Sequence, residues 1–429
     1  MQSSVSRILL VTFGTRGDIL PFCVLGAALQ QRGHSVRFVT ISDYHGTVRR
    51  FGLDPVDTGA GFEETLSDPR YEALFQNYFS VGLSAIPRIL ALRRTLLGQL
   101  TDLLLLTRDE VSRCDLVVFN AFAYFAGEVA LETGRPAIRV MCQPLLPSKK
   151  EPLSVFGGRP LGKTGNRLSY EAPRLLSPLL ARAFAERRLR MAGGRRWRVF
   201  ANPLTANLRR IHHLAAFSPT LSPDPGDWPV PVTATGPWTA APRAVGGLQD
   251  YLEAFLARGP APVYVGFGSM LWGGRRNTDI VLEALKIWGG RAIVNVGAGG
   301  LRLPDWSALP PNLQATTQAD HALLFPRVRA VVHHGGAGTT AAVLRAGRPS
   351  VILPLLGDQL YWGRRVAALG AAEAPIQLNQ ITAEDLAGRI ARACSNADMA
   401  AAAARLSAIL AREPGVTAAL DYVEAVLAA

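Results

Sequence analysis

The sequence predicts an α/β protein built from two domains of repeated βαβ units. Three observations carry this. Short apolar runs alternate with helical periods, first from Arg7 and again from Pro262. A stretch of Pro, Ala and Gly without hydrophobic period, residues 239–247, separates the two series. The length, 429 residues, is too great for one ordinary domain.

Composition narrows the class. An apolar share of 48% suits a globular protein with a full core. Cys23, Cys114, Cys142 and Cys394 lie far apart and form no C-x-x-C, which argues against zinc and disulfides and fits a reducing cytoplasm. The first strand begins near Arg7, which leaves no room for a signal peptide. No apolar run approaches the roughly twenty residues that span a bilayer. The net charge of +13 gathers in residues 149–210, where Glu151, Glu171 and Glu186 are the only acids. A solvated basic helix face is the first reading of that stretch, and peripheral contact with an acidic membrane the second. No nucleic-acid module accompanies it.

The elements follow in order. Residues 7–13 read as a strand and 19–32 as a helix, with Pro21 tolerated in its first turn and Gly33 past its end. Residues 36–40 are the next strand. The loop Gly14-Thr15-Arg16-Gly17-Asp18 lies at a strand's carboxyl end, where ligands of such units bind. Asp18 is either a helix cap or a general base. Tyr71, Phe75, Tyr78 and Phe79 have helical spacing and read as core before pocket wall. A long helix is expected over 86–113, a strand over 115–119 ending in Asn120, a helix over 121–133 and a strand over 138–142. The basic stretch reads as largely helical, and 215–218 as a short strand. In the second series, a helix over 248–257 precedes a strand over 262–267 that ends Gly266-Phe267-Gly268-Ser269-Met270. A helix over 278–289 and strands over 291–296 and 312–315 follow.

The stretch Val331–Gly363 is the most informative. An apolar strand stops at His333-His334, glycines turn, and Thr339–Ala346 reads as a helix closed by Gly347. A second strand, Ser350–Leu353, leads to Asp358-Gln359. A helix start behind a glycine turn exposes unpaired N–H groups and a partial positive charge, which suits phosphate. This stretch has no Gly-Lys-Ser/Thr and no G-x-G-x-x-G. An Asp with a Gln suits sugar hydroxyls better than phosphate.

His333-His334-Gly335-Gly336-Ala337-Gly338-Thr339-Thr340, followed about twenty residues later by Gly357-Asp358-Gln359, resembles the donor signature of the inverting GT-B glycosyltransferases of family 1, in their sterol and antibiotic branch. The loop GTRGD with Pro21, the VGFGSM at 265–270, and DWP followed by TGPW are similar to the same family. The resemblance implies a GT-B fold, two Rossmann-like domains facing across a cleft. Its bounds are expected as 1–238 for acceptor, 239–247 as linker, 248–413 for donor, and 414–429 as a last helix crossing back to the first domain. It implies a nucleotide-sugar co-substrate (UDP- or dTDP-sugar), a lipophilic acceptor with a hydroxyl, and no metal, since no D-x-D occurs. Asp18 is then the base, in a loop with Thr15, Arg16 and Gly17. Gly268, Ser269, His334, Gly336, Ala337, Gly338 and Thr339 would hold the diphosphate, Asp358 and Gln359 the sugar. Backbone near His321 would read the nucleotide base. Two positions depart from the pattern. Asp320 replaces a proline before His321, and Asn120 stands where His-using branches carry an aspartate. The same fold hosts nucleotide-sugar epimerases and non-catalytic partner proteins, and these stay as alternatives.

Overall fold

The computed structural model describes residues 5–58, 61, 106–171, 202, 204–205, 207–239, 247–268, 274–296, 301, 303, 309–355 and 357–429. The aromatic positions 71–79, most of the helix expected over 86–113, Ser269, residues 240–246 of the linker and 172–200 of the basic stretch lie outside these.

Two parallel sheets organise the chain. The first holds β1 (Arg7–Val11), β2 (Ser35–Val39), β3 (Asp54–Pro55), β4 (Leu116–Asn120), β5 (Ala137–Met141), β6 (His212–Ala215) and β7 (Thr233–Ala234). Their order is β3-β2-β1-β4-β5-β6-β7. The second holds β8 (Val263–Gly266), β9 (Ala292–Asn295), β10 (Leu313–Thr316), β11 (Val331–His333) and β12 (Ser350–Ile352), in the order β10-β9-β8-β11-β12. Strands such as Leu116–Asn120 and Ala137–Met141 are buried at every position, as strands covered by helices on both faces must be. In each sheet the strand order reverses once, between β1 and β4 and between β8 and β11. The carboxyl ends beside such a reversal are where open α/β sheets bind ligands.

Helices fill the faces. Arg16–Gln31 buries Phe22, Cys23 and Leu25 on the first sheet. The last helix, Val416–Ala428, lies against it and adds Ala419, Leu420 and Val423 to the same core, beside Trp238. Arg32 pairs with Asp421 and Glu424 at 3.2 and 3.0 Å; the apolar contact is the stronger part, since exposed ion pairs contribute little. A further core joins the two sheets' layers: Leu146, Leu153 and Tyr170 pack with Tyr361, Trp362 and Leu406.

Two expectations need correction. The strand expected over 215–218 lies at His212–Ala215. Its second residue, His213, is buried and bonded through Nε2 to the Leu208 carbonyl at 2.8 Å, so a polar letter hides the strand's start. Two helices also begin two or three residues earlier than their apolar period suggests, at Arg16 and Ala337. Their first turns are exposed or half-buried, so no apolar period marks them. Among the described residues, no helix is long and apolar enough to cross a membrane.

Candidate active site at the two sheet reversals

The loop after β1 is built around Asp18. Gly14, at φ +127, allows the chain to turn back; a Cβ there would sit 2.4 Å from Asp18 Oδ2. Asp18 Oδ2 accepts from the Thr15 N–H at 2.9 Å and the Thr15 hydroxyl at 3.2 Å. Asp18 is therefore the N3 member of a capping box, with Thr15 as N-cap. Capping and base chemistry are not exclusive, because a carboxylate has two oxygens and the cap uses one. The side chain keeps partial contact with solvent, yet protein crowds it over a longer range, as at the bottom of a cleft. That desolvation pushes its carboxyl up to about 7, against the opposing pull of the Thr15 N–H, and the Asp358 charge adds to the rise. Arg16 is not among the charges that act on Asp18.

Asn120, at the end of β4, fixes this loop from the side. Its Oδ1 accepts from the N–H groups of Phe13 at 3.3 Å and Ala123 at 3.1 Å, and its Nδ2 donates to the Phe13 carbonyl at 2.6 Å. An aspartate could not make the last bond, since an ionised carboxylate only accepts. The departure at Asn120 thus has a structural cause that the sequence did not reveal.

The loop after β11 is made of backbone and histidine. Gly336 is the N-cap of helix Ala337–Arg345, and the first intrahelical bond runs from Thr340 N–H to its carbonyl. The amides of Ala337, Gly338 and Thr339 have no acceptor within the helix. The His334 ring lies between two glycines: a Cβ on Gly336 would meet its Nε2 at 2.5 Å, and one on Gly268 its Cε1 at 2.8 Å. The Gly268 turn after β8 and the Gly336 turn after β11 therefore meet at this ring. His334 is 8% exposed, and its Nδ1 has no partner among the described residues. Burial pushes its pKa down to about 4, so the ring is neutral at pH 7. His333 is fully buried and its Nδ1 accepts from the Gly335 N–H at 3.1 Å.

Two further elements frame the cradle. His321 stacks on Phe325 with centroids 4.3 Å apart, and its Nε2 lies 3.4 Å from the Tyr264 hydroxyl. Asp320 caps the His321–Leu324 helix by accepting from Ala322 N–H at 2.8 Å, which accounts for the acid at that position. Asp358 precedes helix Gln359–Ala368; its Oδ2 accepts from Trp362 Nε1 at 2.6 Å, and burial pushes its pKa up to about 6. Gln359 Oε1 accepts from Leu355 N–H at 2.7 Å, so this oxygen shapes the loop. The first domain holds that helix in place: Tyr361 and Ser222 hydroxyls lie 2.7 Å apart, and Arg365 reaches Glu151 at 2.7 Å. Among the described residues, no three His, Cys, Asp or Glu side chains converge as metal ligands.

Two parallel α/β sheets thus carry a carboxylate at one strand-order reversal and uncapped helix amides at the other, where open α/β sheets bind ligands. Comparison with known proteins gives the class. Residues 8–98 match the glycosyltransferase family 28 N-terminal domain, and residues 280–426 the C-terminal domain of erythromycin biosynthesis protein CIII-like proteins. A sterol 3-beta-glucosyltransferase of Arabidopsis thaliana is 31% identical over 97% of this chain and 67% of its own length. The O-mycaminosyltylonolide 6-deoxyallosyltransferase of Streptomyces fradiae is 31% identical over 97% of both chains. A Cryptococcus neoformans sterol 3-beta-glucosyltransferase is 28% identical, and this chain spans only 27% of it. Among solved structures, the glycotransferase of kitacinnamycin superposes with a TM-score of 0.71 at 20% identity, over 99% of this chain and 100% of its own. The glycosyltransferase VinC, in complex with dTDP, gives 0.66 at 20%, over 98% and 99%. The chain belongs to the GT-B glycosyltransferases.

Proposed function

We propose that this chain is an inverting, metal-independent transferase that moves a hexose from a UDP- or dTDP-sugar to a hydroxyl of a lipophilic small molecule. Acceptor and donor are held by the first and second domains. The names of its relatives, a sterol 3-beta-glucosyltransferase and an O-mycaminosyltylonolide 6-deoxyallosyltransferase, support sugar transfer to a lipophilic acceptor. They do not favour epimerase or non-catalytic roles. The observation that carries the reading is Asp18: a carboxyl raised to about 7, one oxygen tied to Thr15, at the reversal of the acceptor-side sheet.

In this reading Asp18 accepts the proton of the acceptor hydroxyl. A carboxylate near 7 is a better base than one near 4, yet an alcohol is a much weaker acid than either, so the proton moves late, as the O–C bond forms. The oxygen attacks the anomeric carbon opposite the diphosphate, and the configuration inverts. The Ala337, Gly338 and Thr339 amides with His334, and Ser269 from the loop after β8, take up charge as it grows on the leaving diphosphate. Asp358 and Gln359 hold sugar hydroxyls, and the loop before His321 receives the base.

The test is transfer from UDP- and dTDP-sugars to a panel of sterols, polyketides and phenols, followed by mass spectrometry. Asp18→Asn is expected to lower the transfer rate by about 10²–10⁴, the usual worth of a general base. Undiminished transfer by Asp18→Asn removes Asp18 from the mechanism, and activity lost in EDTA and restored by a divalent ion removes metal independence.

A further inference from the structure

Asp358 and Gln359 stand at the start of helix Gln359–Ala368, which follows β12 of the second sheet. One face of that helix rests on its own sheet: a Cβ on Gly363 would meet Ile352 Cγ2 of β12 at 3.0 Å. Another face, with Leu360, Tyr361, Arg364 and Arg365, meets residues 151–158, which follow β5 of the first sheet. Gly157 and Gly158, at φ +74 and +70, let the chain lie flush there; a Cβ on them would sit 2.6 Å from Leu360 Cδ2 and 2.7 Å from Tyr361 Cδ2. Arg364 Nη1 donates to the Gly157 carbonyl at 2.6 Å.

Glu151 is the centre of this contact. Its Oε1 accepts from Arg365 Nη2 at 2.7 Å and its Oε2 from the Tyr361 hydroxyl at 3.3 Å. Tyr361 is buried, so its oxygen must find partners inside the protein. With its proton given to Glu151, it accepts from the Ser222 hydroxyl at 2.7 Å and from Arg365 Nε at 3.2 Å. Glu151 is placed in turn by Asp227 of the DWP stretch. Asp227 Oδ1 accepts from the Ser148 hydroxyl at 2.6 Å and its Oδ2 from the Lys149 N–H at 2.7 Å. Ser148 Oγ accepts from the N–H groups of Lys150 and Glu151 at 2.9 and 3.2 Å. The DWP aspartate therefore closes the turn from which Glu151 reaches the helix.

The helix carries this placement to its first turn. Asp358 Oδ2 accepts from Trp362 Nε1 at 2.6 Å, and the Trp362 ring packs on Phe217, beyond β6 of the first sheet, with centroids 5.8 Å apart. We infer that Asp227 and Glu151, acting through Tyr361 and Arg365, are positioning residues for Asp358, so that segments of the first sheet fix the carboxylate that grips the donor sugar on the second. The inference rests on the proposed role of Asp358 as a sugar ligand. The Glu151–Arg365 pair is 27% exposed on both sides, so it adds little to stability. Its effect falls on geometry, and a small misplacement of a substrate-holding group is costly to rate.

The test is steady-state transfer from UDP-glucose and dTDP-glucose by the full chain, above the acid limb of the pH profile, with titration calorimetry against UDP and dTDP. Glu151→Ala is expected to lower donor kcat/KM about tenfold and to leave UDP and dTDP affinity within about twofold, because the amide cradle lies on another loop. In an Asp358→Asn background the same substitution should cost nothing further, since its effect runs through that carboxylate. Asp227→Ala should behave alike, and Tyr361→Phe, which keeps the ring, should lose less. Unchanged kcat/KM in Glu151→Ala overturns the inference, as does an equal loss in the Asp358→Asn background, which a merely structural role would give. If Asp358→Asn alone leaves kcat/KM unchanged, Asp358 does not hold the sugar, and the reading beneath this inference falls first.

Discussion

Gly14–Asp18 follows β1, and His334–Thr339 follows β11; each turns at a sheet reversal into a helix. The backbone solution is the same: a glycine at the turn, then amides at a helix start. The chemistry differs. In the first loop the helix start is occupied by its own Asp18, whose Oδ2 takes the Thr15 amide. In the second, no side chain caps the helix, and its first amides are left without an intrahelical acceptor. Burial acts on both loops, raising an acid to about 7 and lowering a histidine to about 4. Desolvation opposes whichever form carries charge, so it makes one group a stronger base and leaves the other a neutral donor or acceptor. A shared scaffold therefore carries a raised carboxyl in one loop and uncapped amides beside a neutral histidine in the other, which the proposed function reads as proton acceptor and anion cradle.

After Asp18→Asn, the largest effect expected from breaking this contrast is at the cradle. Gly336→Val would place carbon atoms on the His334 ring and across the amides. Donor kcat/KM is expected to fall by about 10²–10³, the scale of a lost oxyanion donor. Acceptor binding, measured separately by fluorescence, should be unchanged; if both fall together, the loops are not separable.

The pH profile sharpens the comparison. The base must be ionised to act, so kcat/KM should drop as pH falls below about 7. Asp358→Asn removes the like charge that helps raise Asp18, so the limb should move to lower pH. Stability carries the opposite sign. The folded carboxyl holds its proton up to about 7, the unfolded one only to 3.8. Between these values the unfolded chain alone is ionised, so folding weakens as pH rises through that window. Asp18→Asn should therefore melt higher than wild type at about pH 8 and equally at about pH 3. A melting difference that does not depend on pH would show that Asp18 is not raised.

The smallest effect is at Asn120. Asn120→Ala leaves the buried Phe13 N–H and carbonyl without their partner, at a cost of about 1–3 kcal/mol in stability. The transfer rate should fall several-fold while donor affinity stays, because the clip serves only the acceptor-side loop. Asn120→Asp should not restore the rate, since it cannot donate to the Phe13 carbonyl. Restoration would show that the clip is not what matters.

Much was legible in the sequence because it follows from local chemistry. Buried parallel strands are apolar runs, glycine turns are written as glycines, and Val331–Gly363 carries strand, turn, helix and loop in one continuous piece. The fold class and the residues gathered at the two reversals come from such signals. Other features were decided only in three dimensions, because they depend on groups far apart in the chain. Asn120 meets Phe13 across 107 residues. His334 meets Gly268 only because β8 and β11 pair. The raised carboxyl of Asp18 depends on everything around it, and no stretch of five letters encodes its own dielectric.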